Sequence, residues 1–205
     1  GLLGAARARG LKALNWTERA RQLCHRIERM RELEPDDWPA FDTEWLAAEL
    51  GDWLGPFLAG LTHWHQVEKL DLVPALDNRL GYPRKQLLDQ LAPEHLTVPA
   101  GARIRLDYGA EGGPVLAVKL QAVFGWRETP RIAHGRVPVV LHLLSPAGRP
   151  LAVTADLESF WTNAYPEVAR DMRGRYPKHP WPDDPLAAEA SMRTKPRPGH
   201  RSDPP

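Results

Sequence analysis

Proline decides what this chain can build. Each proline lacks a backbone N–H and locks φ. It fits the first turn of a helix or a sheet edge, and breaks a helix interior or a central strand. Here 21 prolines are spread through 205 residues rather than gathered in one low-complexity block. The spacing predicts many short elements. It also predicts a segment without regular structure at Arg175–Pro185, where Pro177, Pro180, Pro182 and Pro185 follow one another closely.

Between the prolines, the first half has helical periodicity. Trp16, Ala20, Leu23, Ile27 and Met30 recur at steps of three or four, which is one apolar stripe. Asn15 is placed to cap that helix, with Glu18 three residues on, and Pro35 ends it. Asp42 can cap a second helix carrying Trp45, Leu46 and Leu50. Gly51, Gly55 and Pro56 interrupt the run that continues through Leu61. Asp71 can open a third, with Leu72, Leu76 and Leu80, closed by Gly81. Pro83 suits the start of a fourth, with Leu87, Leu88 and Leu91.

The pattern changes near Pro93. Arg103–Tyr108 alternates polar and apolar, the period of a half-buried strand, and Val115–Leu120 is a short apolar run. Val137, Val139, Leu141 and Leu143 alternate again. Ser145–Pro150 then forms a hairpin loop into Leu151–Thr154. Asp156 can cap a last helix through Phe160, Trp161, Val168 and Met172, broken at Pro166. The expected fold class is α+β. A helical region at 1–92 leads into an α+β domain at 93–185, a four-strand antiparallel or mixed sheet with a packed helix and a proline-rich arm. A tail at 186–205 is expected to be mostly disordered.

Several function classes have no support. The phosphate loop needs glycines that let amides approach phosphate, followed by Lys and Ser/Thr, and no such motif occurs. The chain alone is therefore expected not to hydrolyse ATP. Cys24 is the single cysteine, which rules out an internal disulfide and fits a reducing cytoplasm; on the apolar side of its helix it suits packing better than nucleophilic attack. No apolar run reaches the ~18 residues of a membrane span. The chain opens on Gly1, as a fragment or a processed product would.

His63-Trp64-His65 offers two metal ligands without an evident third, so no metal site is expected. His142 fits a half-exposed strand position and His134-Gly135 a turn. Asp183-Asp184 lies between prolines and suits a solvated pair better than an acid–base pair. Asp156 and Glu158 suit a helix start, and Ser145 and Ser159 have no base at a motif-like spacing. No catalytic residue is expected.

One segment does suggest a ligand. The net charge is only +1 with a pI near 8.1, so nucleic-acid binding would need local patches. Gly1–Glu34 is locally basic. Arg173, Arg175, Tyr176, Lys178, His179 and Trp181 interleave cations with flat rings, which is chemistry that meets phosphate and stacks on unpaired bases. The same residues equally suit a strap that packs back on its own domain with Tyr176 and Trp181 as anchors.

Gly174-Arg175-Tyr176-Pro177-Lys178-His179-Pro180-Trp181-Pro182-Asp183-Asp184-Pro185 is a long run of unusual composition. With Arg131–Pro150, Phe160-Trp161, Tyr165-Pro166-Glu167-Val168, Leu96–Arg103, Leu116-Ala117-Val118, Gln121 and Phe124-Gly125, it resembles the C-terminal domain of the HrpB family. These are bacterial ATP-dependent helicases of the DEAH-box type. The likeness runs from about Trp16 to Pro185. It implies an accessory region of an RNA helicase, with motor domains of the same polypeptide upstream as partners and RNA or single-stranded nucleic acid as ligand. ATP and magnesium are implied for that motor, and no cofactor for this chain. The alternative function is a structural or protein-interaction module that touches no nucleic acid.

Overall fold

The structure is a computed structural model that describes residues 1–193. It divides into two compact units. Unit 1 holds Gly1–Glu94 with Asp107–Gly113 and Ile132–His134; unit 2 holds His95–Leu106, Pro114–Arg131 and Gly135 onward.

Unit 1 is helical. Its elements are α1 (Leu2–Arg9), α2 (Glu18–Leu33), α3 (Thr43–Ala48), α4 (Leu50–Trp53), α5 (Trp64–Val67), α6 (Val73–Leu80) and α7 (Tyr82–Leu91). The apolar stripe of α2 is its buried face: Ala20, Leu23, Ile27 and Met30 pack inward with Leu72, Leu76 and Leu88. The cap lies two residues later than expected. Thr17 Oγ1, not Asn15, accepts the Ala20 N–H at 3.2 Å, and the Asn15 amide instead reaches the Leu70 carbonyl at 3.4 Å. Trp16 is therefore outside the helix and only half-buried. Asp42 accepts the Trp45 N–H at 2.8 Å at the start of α3. Gly81 ends α6 at φ 87°, a conformation that costs a residue with a Cβ, and Pro83 lies in the first turn of α7.

Unit 2 carries every strand residue except Ile132: the strands are β1 (His95–Thr97), β2 (Arg103–Arg105), β3 (Val115–Lys119), the two-residue strands β4 (Arg131–Ile132) and β5 (Val137–Pro138), then β6 (Val140–Leu144) and β7 (Pro150–Thr154). The largest sheet has three strands in the order β3-β6-β7 rather than four. It is mixed: β3 runs parallel to β6 with Val115 opposite Val140, and β7 antiparallel to β6 with Leu141 opposite Thr154. The register slips between Leu143 and Leu144, a bulge on the edge of the sheet. β1 and β2 form a separate antiparallel pair, with Leu96 opposite Ile104.

The last helix does not break at Pro166. It begins as α8 (Leu157–Ser159), capped by Asp156, and widens into a π turn over Phe160–Ala164. It then continues as α9 (Tyr165–Arg175), with Pro166 in the opening turn. The wide turn ahead of the proline reopens the spiral where the missing N–H would otherwise break a ladder bond. Phe124, Phe160, Trp161 and Tyr165 form one aromatic cluster, with centroids 5.2–6.4 Å apart in tilted and edge-on pairs. The Trp161 indole N–H is satisfied by the Trp126 carbonyl at 2.7 Å.

Candidate nucleic-acid interface

The arm follows α9 directly. Four prolines deny it a ladder of its own, and its backbone groups are met by side chains and loops of unit 2. Trp181 is the anchor: its ring is 5% exposed, and its indole N–H donates to the Tyr176 carbonyl at 3.0 Å. Arg173, in the last turn of α9, reaches over the arm. Its Nε and Nη2 donate to the Trp181 carbonyl at 3.0 and 2.7 Å, and Nη2 also meets Asp183 Oδ1 at 2.7 Å. The Tyr165 hydroxyl donates to the Pro182 carbonyl at 2.7 Å, and burial holds that phenol well above its ordinary value. Further along, the Gly125 N–H donates to the Pro185 carbonyl at 2.9 Å from a backbone at φ 85°.

The residues singled out in the sequence separate by environment. Tyr176 is half-buried, with its hydroxyl 3.5 Å from Ser145 Oγ at the base of the β6–β7 hairpin, the edge of hydrogen-bond range. His179 is half-buried against the Tyr176 ring. Its Nδ1 lies 3.1 Å from Gln121 Nε2, and desolvation, aided by the Lys119 charge, lowers its pKa. Arg175 and Lys178 are exposed and have no ion-pair or hydrogen-bond partner among the described residues. Asp183 pairs with Arg173, and Asp184 accepts the Leu186 and Ala187 N–H groups at 3.2 Å each, so the acid pair is occupied locally. The expected disordered stretch begins at Leu186. Its first residues, to Arg193, are described, and the Ser191 N–H there donates to the Gln121 carbonyl at 3.1 Å; residues 194–205 lie outside the described residues.

Sequence reasoning missed the receiving side of the arm. Ser145, Gln121, Gly125 and Tyr165 fall in the stretches that resemble the HrpB family, but nothing local in them predicts contact with the arm. Only Gln121, buried with its Oε1 unpaired, has a character that could have drawn attention, and that character requires knowing it is buried.

The other candidates are set apart. His63 and His65 are exposed with rings 5.6 Å apart, and His63 Nδ1 is 2.7 Å from Thr62 Oγ1. Among the described residues no three His, Cys, Asp or Glu side chains converge on a metal-sized site, and no helix is long and apolar enough to cross a membrane. Cys24 lies on α2, 8% exposed.

The family model described as ATP-dependent helicase C-terminal, HrpB_C, matches residues 53–185, which takes in the arm, the sheets and the second half of unit 1. The chain belongs to the HrpB C-terminal family. Against the ATP-dependent RNA helicase HrpB of Escherichia coli (strain K12) it is 47% identical over 195 residues, covering 95% of this chain and 24% of that protein. A crystal structure of the E. coli DExH-box NTPase HrpB superposes with a TM-score of 0.86 at 47% identity, over 94% of this chain and 24% of the other. A second, of the E. coli DEAH/RHA helicase HrpB, superposes at 0.73 with 45% identity, over 87% and 23%. The chain spans about a quarter of the length of these relatives. The HrpB C-terminal match includes every residue of the arm from Arg173 to Pro185.

Proposed function

We propose that this chain is the accessory end of a bacterial cytoplasmic ATP-dependent RNA helicase, and that its arm gives the motor an extra phosphate contact. In this reading motor domains of the same polypeptide supply ATP and magnesium chemistry, and unit 2 supplies a fixed edge over which an RNA strand passes. The arm has two layers of function. Trp181, Tyr176, His179 and Arg173 are the strap that fixes its path, and Arg175 and Lys178 are the cations it presents.

The carrying observation is that contrast in partners. Arg173 is committed to the Trp181 carbonyl and Asp183, whereas Arg175 and Lys178, two and five residues on, stand exposed without partners. A pinned, proline-rich backbone presents them at little further entropic cost. Trp181 is too buried to stack on a base in this arrangement.

The second reading is a brace that touches no RNA, favoured by the burial of Trp181 and the hydrogen bonds along the arm. Titration of single-stranded RNA across salt separates the two. Arg175→Gln with Lys178→Gln is expected to weaken binding and flatten the salt slope by about two units at most. Unchanged affinity and slope would leave only the brace.

A further inference from the structure

We infer that unit 1 holds a second contact for single-stranded nucleic acid, in which Trp16 stacks a base and Lys12 and Arg21 hold the flanking phosphates.

Trp16 stands between two cavities at the start of α2. The first, of about 470 Å³, is mainly apolar and is lined by Leu11, Trp16, Cys24, Phe41 and Leu46 with Lys12 and Arg21. The second is more polar and shares Lys12, Trp16 and Arg21 with the first, adding Asn15 and Glu68. One aromatic ring and two cations thus separate an apolar space from a polar one. That matches the division of a nucleotide into a flat base and a charged backbone.

The ring is preorganised. Its indole N–H donates to the Leu11 carbonyl at 2.8 Å, and it leans on Trp53 at 6.3 Å and 46°. These two contacts hold the ring's orientation before a base arrives, which lowers the ordering cost of stacking.

The acids around the cavities do not cancel the cations. Glu28 is held by Arg31 and the Phe41 N–H, Asp42 by Arg31 and the Trp45 N–H, and Glu68 by the Trp64 indole. Lys12 has no ion pair among the described residues. Arg21 has only Glu18 at 3.6 Å, with both side chains more than half exposed. A pair of that kind contributes little and yields readily to a phosphate.

Cys24, the sole cysteine, lines the apolar cavity and reports on its occupancy. Burial, with Glu28 nearby, pushes its thiol up to about 12, so reaction with a small neutral thiol reagent is slow and sensitive to blockage. The experiment measures that rate on the full chain with an oligouridylate, with uridine monophosphate, and with neither. The oligouridylate is expected to slow labelling several-fold in the wild type and equally in Arg175→Gln/Lys178→Gln, which separates this site from the arm. Lys12→Gln/Arg21→Gln, two exposed positions whose loss leaves the core intact, is expected to abolish the protection. Trp16→Leu is expected to weaken oligouridylate binding by about five- to a hundredfold. An oligouridylate that leaves the Cys24 rate unchanged overturns the proposal. So does equal protection by the mononucleotide at the same concentration, which would make this a free-nucleotide pocket, and so does full protection in the Lys12/Arg21 variant.

Discussion

The two cation-rich stretches of this chain are similar in composition and differ in what surrounds their charges. In α2 of unit 1, Arg26 is 1% exposed and donates to the Ala92 carbonyl at 2.7 Å and to Asp89 at 2.6 Å. Arg29 donates to the Tyr108 and Ala110 carbonyls, and Arg31 bridges Glu28 and Asp42. These guanidiniums fasten helices and loops. In unit 2, Arg173 does comparable work on the arm, whereas Arg175 and Lys178 are left to solvent. The units also differ in balance: acidic residues outnumber basic ones in unit 1, and basic outnumber acidic among the described residues of unit 2. Cation density in a sequence therefore does not measure the charge available to a ligand; the fixed partners decide that.

The largest test of this contrast is Arg26→Met. Its removal takes away two charge-assisted hydrogen bonds, one to the Ala92 carbonyl and one to the half-exposed Asp89, together with buried packing, and it is expected to lower the stability of unit 1 by about 3–4 kcal/mol. Urea unfolding of the chain, read at a probe in unit 1, measures it. A loss under about 1 kcal/mol would erase the distinction between fastening and free arginines.

Trp181→Ala comes next. The ring is the arm's one buried aromatic, and its loss is expected to cost about 3 kcal/mol through lost burial and a cavity. Wild-type stability together with weakened RNA binding would reverse the assignment and make the ring a stacking platform. Arg173→Gln should cost less, roughly 1–2 kcal/mol. It removes charge-assisted bonds to the Trp181 carbonyl, but the side chain is partly exposed and water can replace it. Limited proteolysis across Pro177–Pro185 would show the loosened arm.

Much of this was legible in the sequence because the signals are local. Asp42 and Asp156 cap where a short acceptor precedes a helical run, Gly81 closes α6, and the alternation in β2 and β6 marks strands. The misreadings come from competition between neighbours. Asn15 and Thr17 both suit a cap, and Thr17 wins while Asn15 is taken by the Leu70 carbonyl far along the chain. Pro166 signals a break that a π turn removes. The parallel pairing of β3 with β6 joins residues some 25 positions apart, and no local pattern encodes it. The arm is similar: its aromatic and cationic content is plain in the sequence, but the division of labour among Arg173, Arg175 and Lys178 depends on where the Trp181 carbonyl and Asp183 come to lie.

The smallest expected effect belongs to His179, and its sign follows from the environment. Desolvation first, and the Lys119 charge second, lower its pKa in the folded chain below the ordinary value of about 6.5. The unfolded state therefore takes up a proton before the folded state does. The contribution of His179 is fully present above about pH 6.5 and is lost as pH falls through the lowered folded value. The contact with Gln121 points the same way. Nδ1 can accept from Gln121 Nε2 only while it is unprotonated, and Gln121 Oε1, buried without a partner, marks an amide held by that one bond. Lowering the pH from 8 to 5 should thus loosen the arm more in the wild type than in His179→Gln, whose amide does not titrate. Thermal melts of both proteins across that range, with proteolysis of the arm as the local readout, make the comparison. Parallel curves for the two would mean that His179 fixes nothing, and that the strap is held by Trp181, Tyr165 and Arg173 alone.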